Sequence, residues 1–389
     1  MNKELPIDKE LMAEMADTPQ NPRYHAEGSV LEHTKMVVRR YFELRDRFRL
    51  SEEEREVLYW AAVLHDIGKT RVTKQVNGRW TSPGHEKAGL PMAMDHLLRR
   101  TELVPEARRK VLDLVRWHGI PLYFVKHQVP LDHLKLLGTR TDLRLLGIFT
   151  VLDFHGRICE NQAETITAIE HFQRVTVPKA EYEFAPYADL QAQYATWNLR
   201  HKNAAWNAIR LKNFSLLEKL RHAPERDSPP TFGKKVYMTI GPPLSGKTSY
   251  LAHQHPGLFR VDLAEHGLAE SDLGDAYYED RKLIEFRHFL TIYLNRNRQV
   301  VLEGRNLKEK FRRRLTESIR DMNVAVEYLV FEAPLPPLFE RDAQRPQPEG
   351  KEKIAALYHR FDLVHPWEAH HLQYITPADI AAPNSQKES

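Results

Sequence analysis

Apolar residues in the first half of the chain recur every three or four positions. Val30, Val37 and Leu44, for example, fall on one stripe, and Ser51 with Glu54 has the pattern of a capping box before another such segment. This spacing is typical of amphipathic helices. It predicts helices over 29–45, 51–64, 85–100, 105–118 and 141–159, and one or two further helices over 183–220.

From residue 231 onwards, short runs rich in β-branched residues replace the helical spacing. The runs lie at 235–240, 259–263, 299–304 and 324–333, and amphipathic stretches separate them. Strands that alternate with helices predict parallel βαβ units. We therefore expect a multidomain chain in which an all-α helical bundle precedes an α/β domain with a parallel sheet.

A Pro-, Ser- and Asp-rich segment at 221–235 separates the two patterns, as a linker does. The expected organisation has three parts, a helical domain, a helical connector with a linker, and an α/β domain. Their ranges are 1–180, 181–230 and 231–389.

Composition agrees with a chain of more than one domain, since 389 residues exceed one typical core. No apolar run is long enough to cross a bilayer, and the N-terminal segment lacks the apolar centre of a signal peptide. Cys159 is the single cysteine, which excludes an internal disulfide. We expect a cytoplasmic protein with no membrane partner.

Net charge alone does not diagnose nucleic-acid binding, because it is only +4. Basic residues nevertheless cluster at 39–49, 108–110 and 308–314. Each cluster either contacts the phosphates of a polyanion or forms a solvated helix face.

Several histidines and carboxylates lie on the apolar stripes of the predicted helices. Such residues are costly to bury unless they are paired or bound to a metal. Helices of a bundle can direct them to one interior point, where imidazole and carboxylate ligands suit transition metals. The candidate ligands are His33, His65, Asp66, His85, His118 and Asp153.

The segment GPPLSGKT at 241–248 has the spacing of a phosphate-binding loop, with a predicted strand before it and helix-compatible sequence after it. Its glycines let backbone amides approach phosphate, Lys247 reaches the β- and γ-phosphates, and Thr248 is a ligand for Mg²⁺. The pattern predicts a site for ATP or another nucleoside triphosphate with Mg²⁺. The candidate nucleotide-binding residues in the loop are Gly241, Ser245, Gly246, Lys247 and Thr248.

Further along the chain, Asp262 ends a predicted strand, where it either takes a proton from an acceptor hydroxyl or caps a helix. Arg341 and Arg345 are one helical turn apart, and either close over the triphosphate or lie on the surface. We expect Asp262 to be the general base and both arginines to bind nucleotide.

The first-half motifs LEHT, HDIGK, GHEKAG, WHG and VLDFHGR resemble the HD-domain phosphohydrolases over residues 20–175. The resemblance implies that His33, His65, Asp66 and Asp153 hold one metal. It further implies that His85 and His118 hold a second metal, with Asp66 bridging. The candidate metals are Mn, Ni, Co, Fe, Zn and Cu.

Metal-bound hydroxide suits phosphoester hydrolysis. Lys69, which follows the His-Asp pair, either holds a phosphate oxygen or is a solvated lysine in a turn.

The second half resembles the P-loop 5′-hydroxyl polynucleotide kinases over residues 233–378. The resemblance implies that Asp262 is the general base, that Arg341 and Arg345 are lid arginines, and that the segment EGRN places the acceptor. The candidate acceptor-binding residues are Glu303, Arg305 and Asn306. Glu265 replaces an arginine that is frequent in that family, and Gly304-Arg305 replaces a more usual Asp-Thr or Thr-Thr pair.

The fusion of the two halves resembles the bacterial HD-Pnk end-healing proteins. This resemblance implies removal of 2′,3′-cyclic phosphate or 2′(3′)-phosphate from strand ends and transfer of an NTP γ-phosphate to 5′-OH ends. The implied partners are RNA or DNA ends and a ligase acting downstream, and a homodimer stays open. The alternatives are a free-nucleotide phosphohydrolase fused to a nucleoside kinase, and a P-loop that only senses nucleotide.

Overall fold

The computed structural model divides the chain into two compact units, which separate after Leu190. Helices come first and a parallel sheet follows, which confirms the predicted fold class. Most of the predicted linker, residues 224–232, lies outside the described residues. The structure describes residues 5–127, 129–183, 187–223, 233–268 and 276–381.

The first unit is built from helices and one short hairpin. The hairpin pairs strand β1 (Lys74–Val76) with strand β2 (Arg79–Thr81) in antiparallel register. The helices are α1 (Lys9–Asp17), α2 (Val30–Leu44), α3 (Glu52–Leu64), α4 (Lys69–Val72), α5 (His85–Arg100), α6 (Pro105–Trp117), α7 (Ile120–His127), α8 (Leu131–Gly138), α9 (Leu143–His155), α10 (Gln162–His171) and α11 (Val177–Glu183).

Helix α9 lies at the centre of this unit, and all its residues except Arg144 and His155 are buried. Helix α3 begins with the predicted capping box, in which the Ser51 hydroxyl and the Glu54 side chain bond each other's backbone N–H. The five helices predicted between residues 29 and 159 are confirmed, with ends that differ by up to four residues.

Segment 183–220 contains three described helices instead of the expected one or two: α12 (Tyr187–Thr196), α13 (Leu199–Arg210) and α14 (Phe214–His222). The extra break has a local cause, because Asn198 and Asn213 each accept a hydrogen bond from a backbone N–H of the following helix. Helix α13 packs within the second unit, where Lys202 donates to the carbonyl oxygen of His370 at 2.9 Å.

The second unit contains a five-stranded parallel sheet with the strand order β4-β5-β3-β6-β7. The strands are β3 (Lys235–Ile240), β4 (Phe259–Asp262), β5 (Gln299–Glu303), β6 (Ala325–Phe331) and β7 (His371–Ile375). The helices between and after them are α15 (Lys247–Gln254), α16 (Ala276–Asn297), α17 (Glu309–Ile319), α18 (Leu335–Ala343), α19 (Lys351–Tyr358) and α20 (Pro377–Ala381).

Four of these strands match the predicted runs, and the edge strand β7 was not predicted. Its sequence HLQYI buries only its last residue fully, so it lacks the continuous apolar run that marks the central strands. Within the basic cluster at 308–314, Arg312 is fully buried and bonds Glu368 at 2.8 Å. That arginine stabilises the fold and is neither a phosphate contact nor part of a solvated face.

Among the described residues, no helix combines the length and the hydrophobicity that a membrane span requires.

Candidate active sites in the two units

The six predicted metal ligands come together in the interior of the first unit. His33 lies on α2, the His65–Asp66 pair follows α3, and Asp153 lies on α9. His85 begins α5 and His118 follows α6. Five of the six residues are buried, and the His85 side chain keeps 15% of its surface exposed.

Two of the histidines face one oxygen of Asp66, and Asp153 lies beside them. His65 Nε2 lies 3.3 Å from Asp66 Oδ2, and His33 Nε2 lies 3.6 Å from the same oxygen. The two Nε2 atoms are 3.2 Å apart. Asp153 Oδ1 completes the group at 3.0 Å from His33 Nε2.

The other oxygen of Asp66 faces the remaining two histidines. Asp66 Oδ1 lies 3.3 Å from His85 Nε2 and 3.6 Å from His118 Nε2, and those two nitrogens are 3.2 Å apart. This buried oxygen has no hydrogen-bond partner within the described residues. Asp66 therefore stands between two groups of histidines, one on each of its oxygens.

Hydrogen bonds on the far side of each ring orient the histidines. The Nδ1 atoms of all four face backbone carbonyl oxygens, and that of His33 lies 3.3 Å from the oxygen of Gly156. In the other three, Nδ1–H is the donor and the Nε2 lone pair is directed into the cluster. Lone pairs 3.2 Å apart and next to ionised carboxylates repel unless a cation lies among them. The residues therefore fit a divalent metal, as the resemblance implied. The three bonds are His65 to Ala62 at 3.2 Å, His85 to Ser82 at 2.9 Å and His118 to Val115 at 2.9 Å.

Gly68 lets the turn after the His-Asp pair approach α5. A Cβ at this position would lie 2.1 Å from the carbonyl oxygen of His85 and 2.4 Å from the backbone nitrogen of Gly89. The close approach places His85 against Asp66, so the sequence HDIGK fixes both the ligand pair and the position of the ligand that follows.

Two basic residues contact the carboxylates of the cluster. Lys69 Nζ donates to Asp66 Oδ2 at 2.7 Å and to Gln20 Oε1 at 2.7 Å. Arg157 donates to Asp153 through Nε at 3.1 Å and through a second, shorter bond. Burial raises the pKa of both carboxyl groups, but Lys69 beside Asp66 and Arg157 beside Asp153 hold these pKa values well below the usual range. Both carboxylates are therefore ionised.

Glu27 is a candidate functional residue that was not predicted from the sequence. Its Oε1 accepts from His33 Nδ1 at 3.0 Å and from His25 Nδ1 at 2.9 Å, and its Oε2 accepts from the backbone N–H of Ile158 at 3.0 Å. Burial raises the pKa of Glu27, but the hydrogen bonds from His25 and His33 outweigh it and lower the pKa. Glu27 lies in a loop without periodic spacing, so no sequence pattern marks it. The one available signal was the general tendency of a metal-binding histidine, here His33, to pair with a nearby carboxylate.

In the second unit, the loop after β3 has the geometry of a phosphate-binding loop. Gly246 has φ +93°, a conformation that favours glycine, and Lys247 and Thr248 open α15. Lys247 Nζ donates to the carbonyl oxygens of Gly241 at 2.9 Å and Pro242 at 2.6 Å. Burial first, and then the nearby Arg305, lower the pKa of Lys247 to about 7.

The carboxyl ends of three neighbouring strands line one cleft of about 380 Å³. Asp262 at the end of β4 and Glu303 at the end of β5 are register partners. Parallel strands carry their sites at this edge. The predicted residues that line the cleft are Lys247, Thr248, Asp262, Glu303, Arg305 and Asn306.

Asp262 is exposed, and its Oδ1 accepts from the backbone N–H of Ala264 at 2.8 Å. Asn306 is buried and donates from Nδ2 to the carbonyl oxygen of Thr239 at 2.7 Å, so this amide also holds β3. Arg360 lines the cleft as well and was missed, because an isolated arginine after a helix carries no motif.

The two candidate lid arginines have different surroundings. Arg341 Nη1 donates to the carbonyl oxygen of Leu244 at 2.7 Å, within the phosphate-binding loop. Arg345 Nη1 lies 3.3 Å from Glu349 Oε1 and 3.7 Å from Asp342 Oδ1. The structure therefore brings Arg341 to the loop and pairs Arg345 with carboxylates.

Comparison with known proteins agrees with these two sites. The model of the HD domain matches residues 30–136, and a model described as an AAA domain matches residues 236–362. None of the curated proteins matches the chain. The chain therefore joins an HD phosphohydrolase-type domain to a P-loop kinase-like domain.

Proposed function

We propose that the protein heals nucleic-acid ends. The first unit hydrolyses 2′,3′-cyclic phosphate and 2′(3′)-phosphate ends, and the second transfers the γ-phosphate of a nucleoside triphosphate to a 5′-OH end. The observation that carries the first activity is Asp66, whose two oxygens face two groups of histidines. Such a bridged arrangement suits attack on a phosphate ester.

One or two divalent metals at His33, His65, Asp66, His85, His118 and Asp153 would supply hydroxide at neutral pH and a Lewis acid for the phosphate. The chain contributes the surrounding charge. Arg157 is bonded to Asp153, and Lys69 is bonded to Asp66. Both cations line the cavity beside the cluster, where they attract the phosphate of a strand end.

The kinase activity depends on groups at the carboxyl edge of the sheet. Thr248 would hold Mg²⁺, which would neutralise charge on the phosphates that the loop amides and Lys247 bind. Asp262, which lines the cleft, takes the proton of the 5′-hydroxyl as the γ-phosphoryl group is transferred. Arg341, which donates to the carbonyl oxygen of Leu244 in the loop, would contact the phosphates from that side. The products, a 5′-phosphate and a 2′,3′-diol, are the ends that a ligase joins.

Substitution of one carboxylate in each unit tests this proposal. Asp66→Ala is expected to abolish phosphate release from an RNA oligonucleotide with a 2′,3′-cyclic end while 5′ labelling persists, and Asp262→Ala is expected to do the reverse. The exposed residues Asp132 and Asp321 provide matched Asp→Ala controls that should retain both activities. Cyclic-phosphate removal by the Asp66→Ala protein, with metal supplied, would contradict the assignment of the first unit.

Mononucleotides separate this proposal from a nucleotide-signalling role. An end-healing enzyme releases phosphate from oligonucleotide ends with a higher kcat/KM than from free 2′,3′-cyclic nucleotides, and it labels 5′-OH oligonucleotides in preference to nucleosides. The opposite order would favour a free-nucleotide phosphohydrolase joined to a nucleoside kinase.

A further inference from the structure

A cavity of about 480 Å³ extends from the metal-ligand cluster of the first unit to the surface. Lys69, His85 and Arg157 line its inner part, and Tyr24, Trp80 and Lys126 belong to the same lining. Pockets of this volume hold ligands of nucleotide size. The cavity therefore has room for more than the phosphate that would react at the cluster.

The hairpin of β1 and β2 ties one aromatic residue of this cavity to the cluster. Trp80 lies on β2 and is half-buried, whereas its neighbours Arg79 and Thr81 are exposed. At the base of the hairpin, the Ser82 carbonyl accepts from His85 Nδ1 at 2.9 Å. The Ser82 hydroxyl lies 2.7 Å from that of Thr73 on the opposite side of the hairpin. Trp80 is therefore held at a fixed distance from a candidate metal ligand.

Cations surround the second aromatic residue. Lys126 Nζ lies 5.3 Å from the centre of the Tyr24 ring, and Arg23 Cζ lies 5.7 Å from it. These are distances at which a ring attracts a cation, so Tyr24 keeps both charges at the cavity. Arg23 is also paired with Glu160 at 3.1 Å, on an exposed part of the surface. Of Arg23 and Lys126, Lys126 is therefore better suited to bind a phosphodiester.

We propose that this cavity binds the terminal nucleotide of a strand. The base of this nucleotide stacks on Trp80, and the phosphodiester that links it to the preceding nucleotide contacts Lys126. The proposal rests on the end-healing function of the first unit. It assigns substrate recognition to two residues that do not belong to the metal-ligand cluster. Stacking tolerates any base, because every base has a flat π-face. The subsite therefore selects a nucleic-acid end without selecting its sequence.

Trp80→Ala tests the stacking contact on two substrates. With an RNA oligonucleotide that ends in a 2′,3′-cyclic phosphate, the expected loss in kcat/KM is about 5- to 150-fold, which corresponds to about 1–3 kcal/mol for one stacked base. With glycerol 1,2-cyclic phosphate, which has a five-membered cyclic phosphodiester but no aromatic ring, the expected change is less than about twofold. Trp80→Phe should recover part of the loss, and Arg79→Ala, on the same strand but exposed, should match wild type.

Lys126→Ala tests the phosphodiester contact. It should raise KM for the oligonucleotide and leave KM for a free 2′,3′-cyclic mononucleotide unchanged. It should also reduce the slope of log KM against log salt concentration by about 0.7, the value for one phosphate contact on a single strand. Lys87→Ala, an exposed lysine on α5, is the matched control.

The outcomes distinguish a failed subsite from a failed function. Equal losses on both substrates, with lower metal content, would mean that Trp80 only supports His85, and this would overturn the proposal. Unchanged kinetics on the oligonucleotide would overturn it too. If wild-type protein hydrolyses glycerol 1,2-cyclic phosphate but no nucleotide end, the end-healing function itself is wrong, whatever the Trp80 variant does.

Discussion

Glu27 offers a direct test of how the first unit holds metal. Its carboxylate accepts N–H groups from His33, from His25 and from the backbone of Ile158. Glu27→Gln keeps the size of the side chain, but it removes the charge and replaces one accepting oxygen with an NH₂ donor. One N–H group then faces a donor, and the His33 ring loses the carboxylate that directs its Nε2 toward the cluster.

The expected loss in metal affinity is 10- to 100-fold, the usual effect of removing a carboxylate that supports a metal-bound histidine. This corresponds to about 1.4–2.8 kcal/mol of binding free energy. Equilibrium dialysis of the full-length protein against Mn²⁺ measures the affinity without reference to activity. Glu32→Gln is the matched control, because Glu32 lies on the same segment but is exposed and pairs with Lys35 at 2.8 Å.

Two results would refute the reasoning. If the Glu27→Gln protein bound Mn²⁺ as tightly as wild type, the carboxylate would not orient His33. If the Glu32→Gln protein lost as much affinity, the effect would come from the overall charge near α2. A loss of affinity with an unchanged unfolding temperature of the metal-free protein would support the positioning role.

Two further predictions concern packing and pH. Gly68→Ala forces α4 and α5 apart at a cost of about 3 kcal/mol or more, because its Cβ meets backbone atoms. Both the unfolding temperature and the Mn²⁺ stoichiometry of this variant should fall. Gly257→Ala is the control and should alter neither, because a Cβ there has nothing within 4 Å. Burial first, and then the nearby Arg320, lower the pKa of His370 to about 2. The contribution of neutral His370 to the free energy of unfolding is therefore fully present above about pH 6.5, and it declines below that pH by about 1.4 kcal/mol per pH unit. Denaturant unfolding at pH 7.5 and pH 5 should show a smaller decline in His370→Asn, and an equal decline would contradict this origin.

Sequence periodicity predicted the helices of the first unit well because their apolar stripes face one core. It also indicated the candidate ligands, because His33 and Asp153 are polar residues on stripes that the structure buries. The phosphate-binding loop could also be predicted from the sequence, since its glycine spacing is a local requirement of the backbone. Each of these features depends on neighbours within a few positions of the chain.

Glu27, Trp80 and Arg360 were not assigned roles from sequence, because their segments lack a period. Arg157 was not assigned a role either, although its partner Asp153 lies only four positions before it. Glu27 reaches His33 only after the loop before α2 folds back against Ile158. Trp80 lies near the cluster only because the hairpin that carries it is bonded to His85 at its base. These contacts are set by tertiary packing, which a local pattern does not encode.

The two sites treat phosphate with opposite electrostatics. In the first unit, Asp66 and Asp153 are ionised in the interior, which suits a cation between the substrate and the protein. In the second, burial and Arg305 disfavour the charge on Lys247, so a triphosphate that binds there relieves the repulsion between two cations. A divalent metal held by the anionic cluster would supply the hydroxide that attacks a phosphate ester, whereas the cationic loop suits the binding of a triphosphate. Under the proposed function, removal of a phosphate from one strand end and addition of a phosphate to another therefore require two sites of opposite charge.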